Sequence, residues 1–269
     1  MSSAVHNFKQ AIKKILPGRV VDFIVRMKGE KMKMIDLSYI KLIREKDEKY
    51  LKDANMLETE LLPQLGLNNE RLNEFPPELY DHAGYGLLYW QYPNQFSKYL
   101  VQLSKYEINS YFEIGVRHGG TFVITVEYLK KFNRVKKAVG LDIGYAPGVI
   151  AYKKQNPGVT FLQADSRSEK IRNFLDKAGN FDLVLIDGNH EEEFCRQDFN
   201  LMKDRANIIV LHDIVSDECP SVKKLWQDIK SGYSTSYNFF EFTDQYESVL
   251  KKEGKSYLGI GMAVRKLFL

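Results

Sequence analysis

Five short apolar runs, each followed by a helix-like stretch, constrain the fold of this chain more than any other feature. The runs lie at 111–116, 137–143, 159–165, 181–187 and 207–213. Apolar runs of this length without polar alternation are typical of strands that are covered on both faces, as in a parallel sheet. Their alternation with helical stretches favours right-handed βαβ units. The sequence therefore predicts a doubly wound α/β domain.

Two further apolar runs close the chain, at 238–244 and 257–264. Only the lysine-rich segment QYESVLKKEGKS separates them. That segment is too short for a comfortable crossover helix, so we expect the last two strands to be antiparallel. The predicted fold is a mostly parallel, seven-stranded sheet with an antiparallel final strand, preceded by a helical N-terminal extension.

Acidic side chains stand at or near the ends of the predicted strands. They are Glu113, Asp142, Asp165, Asp187 and Asp213. Ligands of such sheets bind beyond the carboxyl ends of the strands, and crowded carboxylates raise one another's energy unless a ligand requires them. Each acid alone suits a helix N-cap or a turn equally well. The whole series, in order at successive strand ends, favours a ligand site.

The first predicted strand runs into a glycine-rich turn, EIGVRHGGT, which fits neither phosphate-binding motif. The dinucleotide motif requires glycine where Arg117 stands, and the phosphate loop requires lysine where Thr121 stands. The acid within the strand, Glu113, suits an ammonium or sulfonium group better than a phosphate. Glycines at 115, 119 and 120 let the backbone approach a ligand. The alternative is an ordinary strand-to-helix turn that glycine makes easier.

The motifs FEIGVRHGGT, VGLDIG, FLQADS, FDLVLIDGNH and IIVLHDI resemble those of class I S-adenosylmethionine-dependent methyltransferases, over roughly residues 90–269. The resemblance implies the Rossmann-like methyltransferase fold, with S-adenosylmethionine as the cofactor. It places one group of residues around the methionine part of the cofactor, Asp142 on the ribose, and Asp165 with Ser166 near the adenine. The methionine group is Glu113, Gly115, Gly119 and Thr121. Arg117 and His118 either meet the cofactor carboxylate or face solvent.

The DGNH, HD and SVKKLWQDIK elements resemble one narrower branch of these enzymes. It contains the cephalosporin-hydroxylase-like proteins and the macrolide sugar O-methyltransferases, and it is similar to catechol-type O-methyltransferases. The resemblance implies a divalent metal on Asp187, His212 and Asp213, a ligand role for Asp187 beside the cofactor, and His190 as general base. The best-understood members carry a carboxylate where His212 stands. Imidazole suits Mn²⁺, Fe²⁺ or Zn²⁺ better than Mg²⁺, so the metal, and whether one binds, stays open.

Each of these histidines also has a structural interpretation. His212 could bond within its own sheet, and His190 could be a solvated residue at a helix start. The glutamates Glu191 to Glu193 suit the first helical turn, where the helix dipole favours negative charge. We interpret the glutamates as structural.

The expected activity is methyl transfer to a hydroxyl of a small-molecule or sugar acceptor, in polysaccharide or natural-product biosynthesis. One alternative is a metal-dependent hydroxylase-like enzyme, because one fold can host several chemistries. The other is a non-catalytic module that binds S-adenosylmethionine or a membrane.

The basic character of the chain belongs to its N-terminus. Residues 1–34 hold eight Lys and Arg residues against two acids, whereas the whole chain has a net charge of only +4. We therefore expect no nucleic-acid groove in the main domain. The spacing of Val5, Phe8 and Ile12 predicts an amphipathic helix with a basic face. Such a helix suits docking on an anionic membrane surface, or packing on its own domain or on a second copy of the chain.

The predicted domains are a basic arm over 1–36, a helical and aromatic cap region over 37–105, and a cofactor-binding domain over 106–269. Aromatic residues at 80, 85, 89 and 90, with His82, form either an acceptor wall or a packing layer. Two cysteines in no zinc-like spacing predict a reduced, cytoplasmic setting, with the inner membrane face as an alternative through the arm. We find no apolar run near the roughly 18 residues that a bilayer requires, and no secretory signal.

Overall fold

A computed structural model of the chain describes residues 33–133 and 135–268. The amphipathic helix predicted within the arm falls on residues before 33, outside the described residues. The residues from Met34 onward form one compact unit. Within the described ranges, every helix is too short or too polar to span a bilayer.

A seven-stranded sheet organises this unit, with strand order β3-β2-β1-β4-β5-β7-β6. The strands are β1 (Ser110–Ile114), β2 (Lys137–Asp142), β3 (Val159–Gln163), β4 (Phe181–Ile186), β5 (Ala206–His212), β6 (Tyr237–Phe242) and β7 (Ile260–Arg265). Neighbours among β1 to β5 are parallel, and β7 runs antiparallel between β5 and β6. The doubly wound fold and the antiparallel final strand are both confirmed.

Helices connect the strands and cover the sheet. The cap region holds α1 (Ile40–Arg44), α2 (Glu48–Leu51), α3 (Ala54–Met56), a π-helical turn (Leu57–Leu61), α4 (Leu62–Leu65), 3-10 turns (Leu37–Tyr39, Leu72–Glu74, Pro77–His82) and α5 (Pro93–Leu103). The crossovers and the last connection hold α6 (Gly120–Leu129), α7 (Pro147–Gln155), α8 (Glu169–Ala178), α9 (Glu192–Met202), α10 (Pro220–Gly232) and α11 (Glu247–Glu253), and a 3-10 turn (Lys266–Phe268) follows β7.

The apolar runs lack polar alternation because both faces of the sheet are covered. On one face, Phe112 of β1 packs in a core with Leu175 of α8 and Trp226 of α10. On the other face, Tyr111 stacks on Phe122 of α6 at 5.6 Å between ring centroids. Successive residues of a strand point to opposite faces, so each must be apolar when each face is buried.

The connection between β6 and β7 differs from the expectation in one respect. It contains a helix, α11, although the two strands it joins are antiparallel, as expected. Trp226 helps to hold this pair, because its indole N–H donates to Glu241 of β6 at 2.5 Å. Its ring also lies against Gly261 of β7, where a Cβ would come within 2.7 Å of it.

The loop 66–92 lies directly on the start of α6. A Cβ on Gly120 would stand 2.1 Å from the carbonyl oxygen of Leu87. Of the aromatic residues in this loop, Tyr89 is buried and lies 5.8 Å from the ring of Phe96, whereas Trp90 is only partly buried. Part of the aromatic cluster is therefore a packing layer between the loop and α5.

Candidate active site

The glycine loop leaves β1 and reaches α6 through two left-handed glycines. Gly115 has a φ of +91°, and a Cβ there would stand 2.0 Å from the carbonyl oxygen of Asp187. Gly119 has a φ of +97°, and a Cβ there would meet Val149 of α7 at 2.4 Å. The chain's own backbone and side chains thus require these glycines. Gly115 in particular brings the loop into contact with the end of β4.

Asp142, the predicted ribose ligand, lies beside the same loop. Its carboxylate accepts hydrogen bonds from the amides of Arg117 at 2.8 Å and Gly144 at 2.7 Å. Burial raises the pKa of the Asp142 carboxyl above its ordinary value, and these two amides oppose that shift. The carboxylate is therefore buried and held at a fixed orientation at the end of β2.

Arg117 and His118 both contact a residue of the cap region. Glu70 accepts from Arg117 Nε at 3.0 Å and lies 2.7 Å from His118 Nε2. Burial alone would raise the pKa of Glu70, but hydrogen bonds from His118 and Arg117 lower it to about 2. Arg117 also lies over the ring of Trp90, at 5.2 Å from its centroid. The structure thus places both side chains against the cap.

Asp165 and Ser166 follow β3, as predicted from the sequence. Asp165 pairs with Arg167 at 2.5 Å, and that hydrogen bond lowers the pKa of the Asp165 carboxyl. The Ser166 side chain hydrogen-bonds to Asp198 of α9. Burial raises the pKa of Asp198 to about 6. Asp198 is buried, and one of its oxygens would stand 3.2 Å from a Cβ on Gly188. The carboxylates of Asp165 and Asp198 therefore lie beyond the carboxyl end of β3.

Four predicted residues meet at the ends of β4 and β5. His212 Nδ1 lies 3.2 Å from Asp187 Oδ1 and 3.5 Å from Asp213 Oδ2. His190 Nε2 lies 3.2 Å from Asp213 Oδ2 and 3.5 Å from Asp187 Oδ1, without the alignment of a hydrogen bond. Asp213 has a φ of +63°, a conformation that residues other than glycine rarely adopt. Such backbone strain concentrates at functional sites.

A fifth side chain, Cys219 at the start of α10, joins this group. Its Sγ lies 3.4 Å from Nδ1 of His190. We define the edge cluster as Asp187, His190, His212, Asp213 and Cys219. Sequence reasoning missed Cys219, since 29 residues separate it from His190 and no spacing motif joins them.

The charges of the edge cluster depend on one another. Burial would lower the pKa of both imidazoles, but Asp213 and Asp187 raise the pKa of His190 and His212 well above its ordinary value. Burial would likewise raise the pKa of the two aspartates, but the imidazoles lower both. The carboxylates thus favour protonation of the imidazoles, and the imidazoles favour ionisation of the carboxylates.

The edge cluster also fits a divalent cation. Asp187, His212 and Asp213 each offer one donor atom, all within 4.8 Å of one another, and His190, Asp213 and Cys219 form a second such group. The buried Nε2 of His212 has no hydrogen-bond partner among the described residues. A donor set with imidazole and thiol suits Mn²⁺, Fe²⁺ or Zn²⁺ better than Mg²⁺.

Glu113 lies on the sheet face that also carries His212. It is fully buried, and the Tyr111 hydroxyl donates a hydrogen bond to it. Burial raises the pKa of Glu113 to about 8, and Asp187 and Asp142 add to that shift. A cation beside it would favour its ionised form. Thr121, at the start of α6, is also buried.

Residues 112–214 match a family described as a methyltransferase domain. No curated protein matches the chain. An O-methyltransferase from Bacillus cereus, solved with S-adenosylhomocysteine, is 13% identical over 85% of this chain and 96% of that chain, with a TM-score of 0.44.

Two further solved structures are similar to the chain. The O-methyltransferase TomG from Streptomyces achromogenes, solved with S-adenosylmethionine, is 14% identical over 64% of this chain and 78% of that chain, with a TM-score of 0.46. The MycE methyltransferase of the mycinamycin pathway, solved with Mg, S-adenosylhomocysteine and mycinamycin VI, is 19% identical over 67% of this chain and 51% of that chain, with a TM-score of 0.43. The chain thus spans about half the length of MycE.

The family match begins inside β1 and ends just after β5, so it contains the glycine loop and four of the five residues of the edge cluster. This match to a methyltransferase domain over residues 112–214 agrees with the resemblance of the sequence motifs to methyltransferases.

Proposed function

We propose that this chain is an S-adenosylmethionine-dependent O-methyltransferase that acts on a hydroxyl of a small-molecule or sugar acceptor. One observation carries the proposal. His190 stands within 3.5 Å of both Asp187 and Asp213, and the backbone of Asp187 touches Gly115 of the glycine loop. A cofactor held at the glycine loop would lie next to a group that can take a proton.

The buried acids near the loop support a cationic cofactor with a ribose. Glu113 is a buried carboxyl within β1, and a sulfonium nearby would favour its ionised form. Asp142, with its carboxylate held by two amides, is suited to accept hydrogen bonds from a ribose diol. Asp165 and Ser166 stand at the next strand end, where we propose that the adenine binds.

The proposed reaction is an in-line displacement at the methyl carbon. The acceptor oxygen forms a bond to the methyl group as the bond from that carbon to sulfur breaks, and its electron pair stays on sulfur. The hydroxyl proton passes to His190. The hydroxyl must lose its proton because a neutral sugar hydroxyl is a weak nucleophile. Histidine is the usual proton acceptor near neutral pH.

Only the neutral form of His190 can accept that proton, and the edge cluster favours its charged form. Asp187, His212 and Asp213 would hold a divalent metal that, when bound, lowers the pKa of the acceptor hydroxyl and compensates the two carboxylates. With less negative charge around it, His190 loses its proton more easily. We therefore propose that turnover depends on a divalent metal.

The direct experiment is a methyl-transfer assay by mass spectrometry on a panel of sugar and phenolic acceptors, with and without Mn²⁺. His190→Ala should abolish turnover yet leave S-adenosylhomocysteine affinity near that of the unaltered chain, because His190 takes the proton and does not hold the cofactor. Glu193→Gln is the matched control, since Glu193 is exposed on α9, three residues along the chain. Full turnover by His190→Ala would remove His190 as the base.

A second candidate function is iron-dependent hydroxylation on the same fold. The observation that favours it is the approach of two imidazoles, His190 and His212, to Asp213. Two histidines with one carboxylate form the ligand set of many non-haem iron oxygenases. Elemental analysis of anaerobically purified protein tests it, and protein free of iron that still transfers methyl groups would exclude it.

A further inference from the structure

A single carboxylate of the cap region holds the glycine loop. Glu70 pairs with the guanidinium of Arg117 and with the imidazole of His118, at 3.0 Å and 2.7 Å respectively. Its side chain is only 22% exposed, so solvent screens these pairs less than it would at an open surface. Glu70 lies 42 residues before the matched methyltransferase domain.

Arg117 links Glu70 to the cofactor-binding carboxylate. Its backbone has a φ of +46°, in the left-handed region that residues other than glycine rarely adopt. In that conformation its amide donates to Asp142 Oδ2 at 2.8 Å. Side-chain contacts that hold Arg117 there therefore also hold Asp142.

The cap holds Glu70 in turn. The amide of Glu70 donates to the Asn68 side chain at 2.7 Å, and the amide of Asn68 donates to the carbonyl of Tyr89 at 2.9 Å. Trp90, which lies under the guanidinium of Arg117, donates its indole N–H to Glu74 at 3.1 Å. Hydrogen bonds within the cap region thus hold the backbone that carries the Glu70 side chain.

We propose that Glu70 is a positioning residue for the cofactor: it holds Arg117 in its left-handed conformation and thereby fixes the Asp142 carboxylate for the ribose. The proposal rests on the proposed function, because it assumes that S-adenosylmethionine binds at this loop. On this proposal the cap region, which lies outside the family match, contributes part of the affinity for the cofactor. Glu70 acts through Arg117 and does not touch the cofactor.

Calorimetric titration with S-adenosylhomocysteine tests this on the full chain. Glu70→Gln, which keeps the shape and removes the charge, should weaken binding about tenfold, equivalent to about 1.4 kcal/mol. Glu60→Gln is the matched control, since Glu60 is an exposed carboxylate of the same cap region that accepts from Tyr50 at 3.1 Å. It should bind like the unaltered chain. Equal affinity of Glu70→Gln and Glu60→Gln would overturn the proposal.

Two further readouts separate positioning from general destabilisation. Amide hydrogen exchange should become faster in Glu70→Gln over residues 115–121 while the core strands keep their protection. In an Arg117→Gln background, Glu70→Gln should change the affinity by less than about twofold, because the pair acts as a unit. The same tenfold loss in both backgrounds would refute action through Arg117. If the unaltered chain does not bind S-adenosylhomocysteine, the proposed function itself fails; if it binds and Glu70→Gln binds equally, only the positioning role fails.

Discussion

The contact between Gly115 and Asp187 joins the glycine loop to the edge cluster, and Gly115→Ala tests it. An alanine at a φ of +91° costs roughly 1–2 kcal/mol in backbone conformation. Its Cβ would also stand 2.0 Å from the Asp187 carbonyl oxygen and 2.5 Å from the carbonyl carbon, so the backbone of β4's end must move. Overpacking of this kind adds roughly 1–3 kcal/mol. We expect a total loss of roughly 2–5 kcal/mol.

Gly254→Ala is the matched control. Gly254 ends α11 with a φ of +66°, and a Cβ there would meet nothing within 4 Å. It should therefore lose only the conformational part, roughly 1–2 kcal/mol. The assay is guanidinium chloride unfolding, followed through the fluorescence of the chain's two tryptophans. Equal losses in the two variants would refute the claim that the Asp187 carbonyl requires glycine at 115.

Two further predictions concern charge. The pKa of Glu70 is lowered to about 2, so its ion pairs stabilise the fold fully above about pH 4.5. That contribution, roughly 1–3 kcal/mol, is lost as the pH falls toward 2. The difference in unfolding free energy between the unaltered chain and Glu70→Gln should therefore shrink between pH 6 and pH 3, and a constant difference would contradict the ion pairs. Asp187→Asn should weaken Mn²⁺ binding at least about 100-fold in calorimetry, because it removes a proposed ligand. Its circular dichroism spectrum should match that of the unaltered chain. Unaltered Mn²⁺ affinity would show that Asp187 is not a ligand.

Most of the sheet could be predicted from the sequence, because the signal is local. The run at 181–187 contains only one polar residue before its end, since β4 is covered on both faces. The observed strand, Phe181–Ile186, ends one residue earlier, and the next residue, Asp187, belongs to the edge cluster. The antiparallel placement of β7 also followed from a short connection, although that connection holds a helix.

The contacts that complete the site could not be predicted in this way. Cys219 reaches His190 only because α10 begins beside the end of β4, and Glu70 reaches Arg117 only because the cap loop lies over α6. Neither contact leaves a periodic or motif-like signal, since 29 and 47 residues separate the partners. The glycine at 115 was assigned to close approach of a ligand, whereas its nearest neighbour is the Asp187 carbonyl.

Titration of the full chain with S-adenosylhomocysteine tests the central claim most directly. We predict saturable binding of one molecule per chain. We also predict at least about tenfold weaker binding by Asp142→Asn, whose amide cannot accept both backbone hydrogen bonds and the ribose diol as a carboxylate does. Absence of binding by the unaltered chain, with or without Mn²⁺, would contradict the account.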